Sequence, residues 1–86
     1  MFTKKFVERI CQLVFKERQG TFPHCDFESY CFEMASNKIY SVSIFDERMD
    51  IVVSDQNDEA PGKWIKNSNY SELAEMLNSE IVIDVY

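Results

Sequence analysis

Apolar residues recur at helical spacing near the start of the chain. From Thr3, which fits a helix N-cap, they follow steps of three and four residues as far as Gly20, which fits a left-handed C-terminal stop. This spacing predicts a first helix over residues 3–18. Its far side carries a polar stripe, and Phe15 falls outside the apolar arc.

The next part of the chain alternates apolar and polar residues with a period of two. The runs over residues 27–35, 39–45 and 49–53 each show this alternation, which is typical of strands with one buried face. Ser36-Asn37 fits a short turn because Asn tolerates positive φ, and the polar residues 46–48 fit another. The pattern therefore predicts an antiparallel meander.

The last part of the chain returns to a helical period. Asn69, with Glu72 three residues later, resembles a capping box and predicts a second helix over residues 70–78. Pro61-Gly62 fits the central positions of a type II turn. The remaining predicted segments are a long loop over 54–62, a short strand over 63–66 around Trp64, and a final strand over 81–86.

These elements predict one small two-layer domain. The order is α-β-β-β-(β)-α-β, and two amphipathic helices can bury their apolar stripes against one sheet face. We expect an α+β fold with a mainly antiparallel sheet of four to five strands and both helices packed on one face. The 86 residues suffice for a single core, so the whole chain is predicted to be one domain.

Charge is unevenly distributed along the chain. Residues 1–18 hold five bases and two acids, whereas residues 19–86 hold four bases and thirteen acids, for a net charge of −6. A negative field repels phosphate backbones and anionic membranes, so we expect a basic protein partner, no direct nucleic acid and no membrane. Acidity that serves only solubility is the alternative.

The thiols and the start of the chain indicate a reducing compartment. An odd number of cysteines without repeated spacing argues against a disulfide framework. No stretch approaches the roughly 20 apolar residues of a membrane span. The charged N-terminus is unlike a signal peptide, and we expect a cytoplasmic protein.

Residue types that carry chemistry are few. His24, Cys25 and Cys31 lack the paired spacing of a zinc site, and only Cys11 is left as a fourth ligand. His24 is the only imidazole that could activate a thiol, and adjacent residues on an extended segment point apart. With two glycines in the chain there is no phosphate-binding loop. We therefore predict no metal, no cofactor and no enzymatic activity.

Three residues stand out from their surroundings. Asp84 interrupts an apolar strand, either because that face of the sheet is wet or because it guards a strand edge. Phe15 and Trp64 are candidates for exposed aromatics, which are enriched at binding hot spots. The alternative is that both pack into a second small core under the 54–62 loop.

Two hypotheses on function follow from this pattern. The first is an acidic protein-binding module. One form of it is an inhibitor that imitates nucleic acid against a basic enzyme, as phage anti-defence or toxin-immunity proteins do as a class. The second is a self-associating adaptor or chaperone-like subunit, such as a homodimer, that pairs through the last strand or the first helix. The residues predicted to bind the partner are Asp46, Glu47, Asp55, Asp58, Glu59, Glu72, Glu75, Phe15 and Trp64.

Overall fold

A computed structural model describes residues 1–24 and 27–86. Within these ranges the chain forms two helices and five strands. In chain order they are α1 (Lys4–Thr21), β1 (Glu28–Met34), β2 (Lys38–Phe45), β3 (Arg48–Asp55), β4 (Lys63–Ser68), α2 (Tyr70–Asn78) and β5 (Val82–Val85).

The five strands form one antiparallel sheet in the order β4-β3-β2-β1-β5. The first four follow one another as neighbours, whereas β5 pairs with β1 at the edge opposite β4. The α+β fold and the order of its elements are thus confirmed.

Local sequence explains where α1 begins, but its end was predicted wrongly. The Thr3 side chain accepts a hydrogen bond from the Phe6 N–H at 3.1 Å and caps the helix as expected. Gly20 does not have a positive φ, and the helix continues through it to Thr21. The guanidinium of Arg18 donates to backbone carbonyls beside and within β1, which ties this last turn to the sheet.

The turns of the meander combine confirmed and corrected predictions. Asn37 has the positive φ expected of it, 68°. Asp46 and Glu47, at φ 49° and 61°, form the two-residue connection between β2 and β3, and such left-handed pairs match the twist of a hairpin. The type II turn at Pro61-Gly62 was wrong, because Gly62 lacks the positive φ that this turn requires.

One cluster of buried side chains forms the core. It draws on both helices and on alternate positions of β1, β2 and β3, which the strand register places on one face of the sheet. The packing of both helices on that single face stays a prediction. The buried apolar residues are Val7, Cys11, Tyr30, Phe32, Met34, Tyr40, Val42, Met49, Ile51, Leu73, Ala74 and Leu77.

The sequence alternates over residues 81–86 and predicts Ile81, Ile83 and Val85 on one face, but this alternation does not hold in the structure. The register of β1 with β5 shifts between Glu33 and Met34, so Val82 and Val85 both pack against the core. Ile81 and Ile83 are instead 72% and 60% exposed. A bulge of this kind is set by the partner strand and leaves no mark on the local pattern.

Candidate functional site

The sheet has one face that packs on the core and a second face that points away from it, here called the outer face. The outer face carries exposed aromatic residues. Small residues occupy its middle, and aromatic residues lie at its margins, where Phe45, Trp64 and Tyr86 are 48%, 58% and 49% exposed. Exposed aromatic area of this kind marks interaction sites more often than isolated aliphatic residues do. The small and medium residues of the middle are Ser29, Cys31, Ser41, Ser43 and Val52.

One row of side chains crosses the whole outer face. Trp64 on β4 lies opposite Val52, Val52 opposite Ser41, and Ser41 opposite Cys31. Cys31 exchanges two backbone hydrogen bonds with Tyr86, so their side chains share this face. The row therefore has an aromatic residue at each end and only smaller side chains between them.

A buried carboxylate lies beside this row. Asp50 is only 4% exposed and is the one buried charged residue in the part of the chain that the structure describes. Arg48 donates to it from Nε at 2.9 Å and from Nη2 at 2.7 Å, a two-pronged ion pair. Trp64 Nε1 donates at 3.2 Å and the Asn67 N–H at 3.1 Å. These four residues are called the Asp50 cluster below.

The cluster keeps Asp50 ionised. Hydrogen bonds from Arg48, then from the Asn67 N–H and the Trp64 indole, lower the pKa of Asp50 to about 2 against the opposing effect of burial. The hydrogen bonds that Arg48 donates to Asp50 also raise the pKa of Arg48. A buried charge needs such partners, and here they come from two strands.

The Asp50 cluster also shapes the edge strand β4. The pairing of β3 with β4 is irregular between Met49 and Ile51, and Asn67 takes a positive φ of 55° there. An irregularity of this type leaves a backbone N–H without a ladder partner. Here the N–H of Asn67 donates a hydrogen bond to the Asp50 carboxylate instead. The carboxylate thus fixes both the path of β4 and the indole of Trp64.

Two cations cover the aromatic rings at this margin. Lys66 Nζ lies 4.5 Å from the centre of the Trp64 ring, and the Arg48 guanidinium carbon lies 5.2 Å from that of Phe45. Contacts of this kind contribute about 0.5–1 kcal/mol each at exposed sites. Because Arg48 is already paired with Asp50, Lys66 is the cation that remains unpaired beside these rings among the described residues.

The opposite margin is acidic. Glu33 on β1 lies directly opposite Asp84 on β5. Like charges facing each other across strands are unfavourable. The Asp84 carboxylate also accepts the Val85 N–H at 2.9 Å. Both interpretations of Asp84 thus have support, because it belongs to the outer face and also occupies a backbone donor of the edge strand.

The acidic residues predicted to bind a partner form separate groups. Asp46 and Glu47 lie at one end of β3, and Asp55, Asp58 and Glu59 lie at or beyond its other end. The eight residues of β3 separate these groups by about 25 Å. Asp55 and Asp58 also accept backbone N–H groups within their own loop, at 2.9 Å and 3.0 Å.

The other predicted binding residues are divided in the same way. Glu72 and Glu75 are exposed on α2. Phe15 is partly buried and packs against the core. Trp64 is exposed on the outer face, so its placement in a second small core under the loop was wrong. It is the one predicted binding residue that belongs to the Asp50 cluster.

Sequence reasoning identified Trp64 but missed the role of Asp50. Arg48 and Asp50 are two residues apart, which places both side chains on the same side of a strand. The sequence therefore contained one indication of the Asp50 cluster. It was an acid and a base on the same side of a strand, with a tryptophan in the next predicted strand. The bonds to Trp64 and Asn67 depend on the register of β4, which the local pattern does not encode.

The candidate thiol and metal chemistry draws little support from the described residues. Burial raises the pKa of the Cys11 thiol to about 12, which keeps it protonated at neutral pH. His24 is exposed and Cys31 is half-buried, while Cys25 lies outside the described residues. Among residues 1–24 and 27–86, no three His, Cys, Asp or Glu side chains converge as metal ligands would.

Comparison with known proteins adds no assignment. No family model, no curated protein and no solved structure matches the chain. In the described residues no helix is both long and apolar enough to cross a membrane.

Proposed function

We propose that this chain is a small acidic protein-binding module without catalytic activity and that it contacts its partner through the outer face. The observation that carries the proposal is the state of Trp64, which is 58% exposed and yet held by a hydrogen bond to buried Asp50. An aromatic side chain fixed before binding loses less conformational freedom when a partner arrives. Tryptophan is also among the residues that most often dominate binding energy.

Site-specific photo-crosslinking tests this proposal in the cells that make the protein. A photoreactive phenylalanine analogue replaces Ser43, which is exposed in the middle of the outer face, and in a matched variant it replaces Glu75 on α2. We expect a crosslinked protein partner from position 43 only, and we expect Trp64→Ala to remove it. No adduct at position 43, or equal adducts at both positions, would contradict the proposal.

An inhibitor that imitates nucleic acid is a narrower form of the same proposal. The net charge of −6 supports it. The separation of the acids along β3 weakens it, because about 25 Å exceeds the Debye length of about 8 Å at physiological salt. For this form we expect binding to a basic nucleic-acid enzyme. Its affinity should fall steeply as salt is added and when the charges of Asp55 and Asp58 are reversed. An affinity that changes neither with salt nor with charge reversal would exclude the nucleic-acid mimic.

Self-association is a second candidate function, favoured by exposed apolar residues on α1 and in and just before β5. Phe6 and Leu13 are 51% and 52% exposed, and Ile81 and Ile83 are more exposed still. Pairing of β5 with a twin strand is hindered, however, because Asp84 already occupies the Val85 N–H. Sedimentation at high protein concentration tests this candidate, and a strictly monomeric protein would eliminate the homodimer.

A further inference from the structure

We infer that the outer face binds an amphipathic helix of the partner protein, with basic side chains over Glu33 and Asp84 and an apolar side chain against Trp64. This inference rests on the function proposed above and adds the class of partner and its orientation. Three features of the outer face carry it, namely its dimensions, its edges and its opposed charges.

The dimensions of the outer face match a short helix. The row from Trp64 to Tyr86 crosses five strands, which at a strand spacing of about 4.8 Å is about 19 Å. A helix of about 13 residues has this length. Between the two aromatic ends the row contains Val52, Ser41 and Cys31, whose small side chains allow a helix to approach the sheet closely.

The edges of the sheet favour a ligand on the face over an added strand. At β5 the Val85 N–H is occupied by Asp84. At β4 the backbone is irregular around Asn67. Both devices discourage strand addition. An extended peptide lying on the face would leave its own backbone groups unpaired, whereas a helix satisfies its own and presents only side chains.

The charges of the outer face define an orientation. Glu33 and Asp84 face each other at the β5 margin, and Lys66 lies at the β4 margin. Within residues 1–24 and 27–86 the one ion pair is Arg48–Asp50, so neither acid of the β5 margin has a cationic partner there. A lysine or arginine of a partner placed between the two acids would relieve their repulsion.

Trp64 supplies the anchor and also reports on binding. Its indole is held by Asp50 and covered on one side by Lys66, so an apolar side chain can pack beside a ring that is already in position. It is the only tryptophan of the chain. Burial by a tryptophan-free peptide would shift its fluorescence to shorter wavelength without any label.

Three tryptophan-free synthetic peptides test the inference. Each has about 14 residues, which as a helix is long enough to span the outer face. One is an amphipathic helix with lysines and arginines toward one end, the second carries glutamates in their place, and the third is a scrambled, non-amphipathic version of the first. We expect only the first to shift the Trp64 fluorescence. In the Cys25→Ser variant, the same peptide should slow modification of Cys31 by a thiol reagent.

A pair of double variants separates a specific site from general acidity. Glu33→Gln with Asp84→Asn removes two charges from the outer face, and Glu72→Gln with Glu75→Gln removes two charges from α2. We expect the first pair to weaken binding of the basic peptide about tenfold, the sum of two exposed ion pairs, and the second pair to change it less than about twofold. Asn at position 84 keeps an acceptor for the Val85 N–H.

The peptide and crosslinking experiments separate failure of the helix inference from failure of the proposed function. Equal binding of the basic, acidic and scrambled peptides, equal weakening by the two double variants, or no binding of any peptide would overturn the helix inference. If a partner still crosslinks at position 43 in cells, the proposed function survives that result and the partner is of another shape. If crosslinking at position 43 fails, the proposed function itself is wrong.

Discussion

The two glycines of the chain should respond in opposite ways to the same substitution. A Cβ at Gly62 would lie 2.8 Å from Val52 Cγ1, 3.0 Å from the Val53 carbonyl oxygen and 3.4 Å from Ser54 Cβ. Non-bonded carbons are ordinarily about 3.5–4.0 Å apart, so the start of β4 must move away from β3 in a Gly62→Ala variant. Apart from its chain neighbours and the backbone of its own helix, no atom lies within 4 Å of the corresponding position at Gly20 in α1.

The magnitude for Gly62→Ala follows from two opposing contributions. Overpacking costs about 1–3 kcal/mol, and here the carbonyl oxygen belongs to a strand that cannot shift freely. Alanine restricts the unfolded chain and regains about 0.4–1 kcal/mol, because Gly62 has no positive φ that alanine would have to avoid. We expect a net loss of about 1–2 kcal/mol, or a Tm lower by about 5–15 °C for a domain of this size.

Thermal and urea unfolding followed by far-ultraviolet circular dichroism measure this loss. Gly20→Ala is the matched control. Gly20 lies in the last turn of α1, and we expect alanine, which favours the helical conformation more than glycine does, to stabilise the protein by up to about 0.5–1 kcal/mol. Adding Val52→Ala to Gly62→Ala removes the 2.8 Å contact and should recover part of the loss. A Gly62→Ala protein as stable as the parent would refute the reasoning, as would a Gly20→Ala protein that loses as much.

Three further predictions concern the Asp50 cluster, the cap of α2 and the end of β4. Folding lowers the pKa of Asp50 from 3.8 to about 2, so the unfolded chain binds this proton at a higher pH than the folded chain does. The contribution of Asp50 to the free energy of unfolding is therefore complete above about pH 4 and declines as the pH falls toward 2. Unfolding measured between pH 2 and pH 6 should show a shallower decline in Asp50→Asn, and parallel curves would contradict this. Asn69→Ala removes the acceptor of the Glu72 N–H at 2.9 Å and should cost about 1 kcal/mol in urea unfolding, against less than about 0.5 kcal/mol for exposed Ser71→Ala. Ser68 Oγ is buried without a hydrogen-bond partner among the described residues, so Ser68→Ala should be neutral or stabilising by about 1 kcal/mol, and a loss of that size would reveal a partner.

Local patterns predicted most elements of the fold. The limits of α2, residues 70–78, follow from the Asn69 cap and from the helical spacing of Leu73 and Leu77, both of which are buried. The alternation in the meander placed Tyr30 and Phe32 on the buried face in the same way. Each of these features depends on neighbours within a few residues, which a single sequence displays directly.

The parts that could not be predicted depend on pairing between distant segments. Nothing in the local pattern places β5 beside β1. The alternation predicts Ile83 and Val85 on one face, but the shifted register leaves Val85 packed inward and Ile83 exposed. The Asp50 cluster likewise requires β4 to be in register with β3. Gly62 was interpreted as a turn residue, whereas what it provides is room for close approach of two strands.

The sheet order has a consequence for the order of folding events. Pairings among the first four strands each close a short loop, whereas pairing Phe32 with Val85 brings together segments that are far apart in the sequence. Closing a longer loop costs more chain entropy, so we expect β5 to dock late, onto a meander that is already formed. Since that step brings Asp84 opposite Glu33, partly folded chains would lack the acidic margin and would not compete for a partner that recognises it.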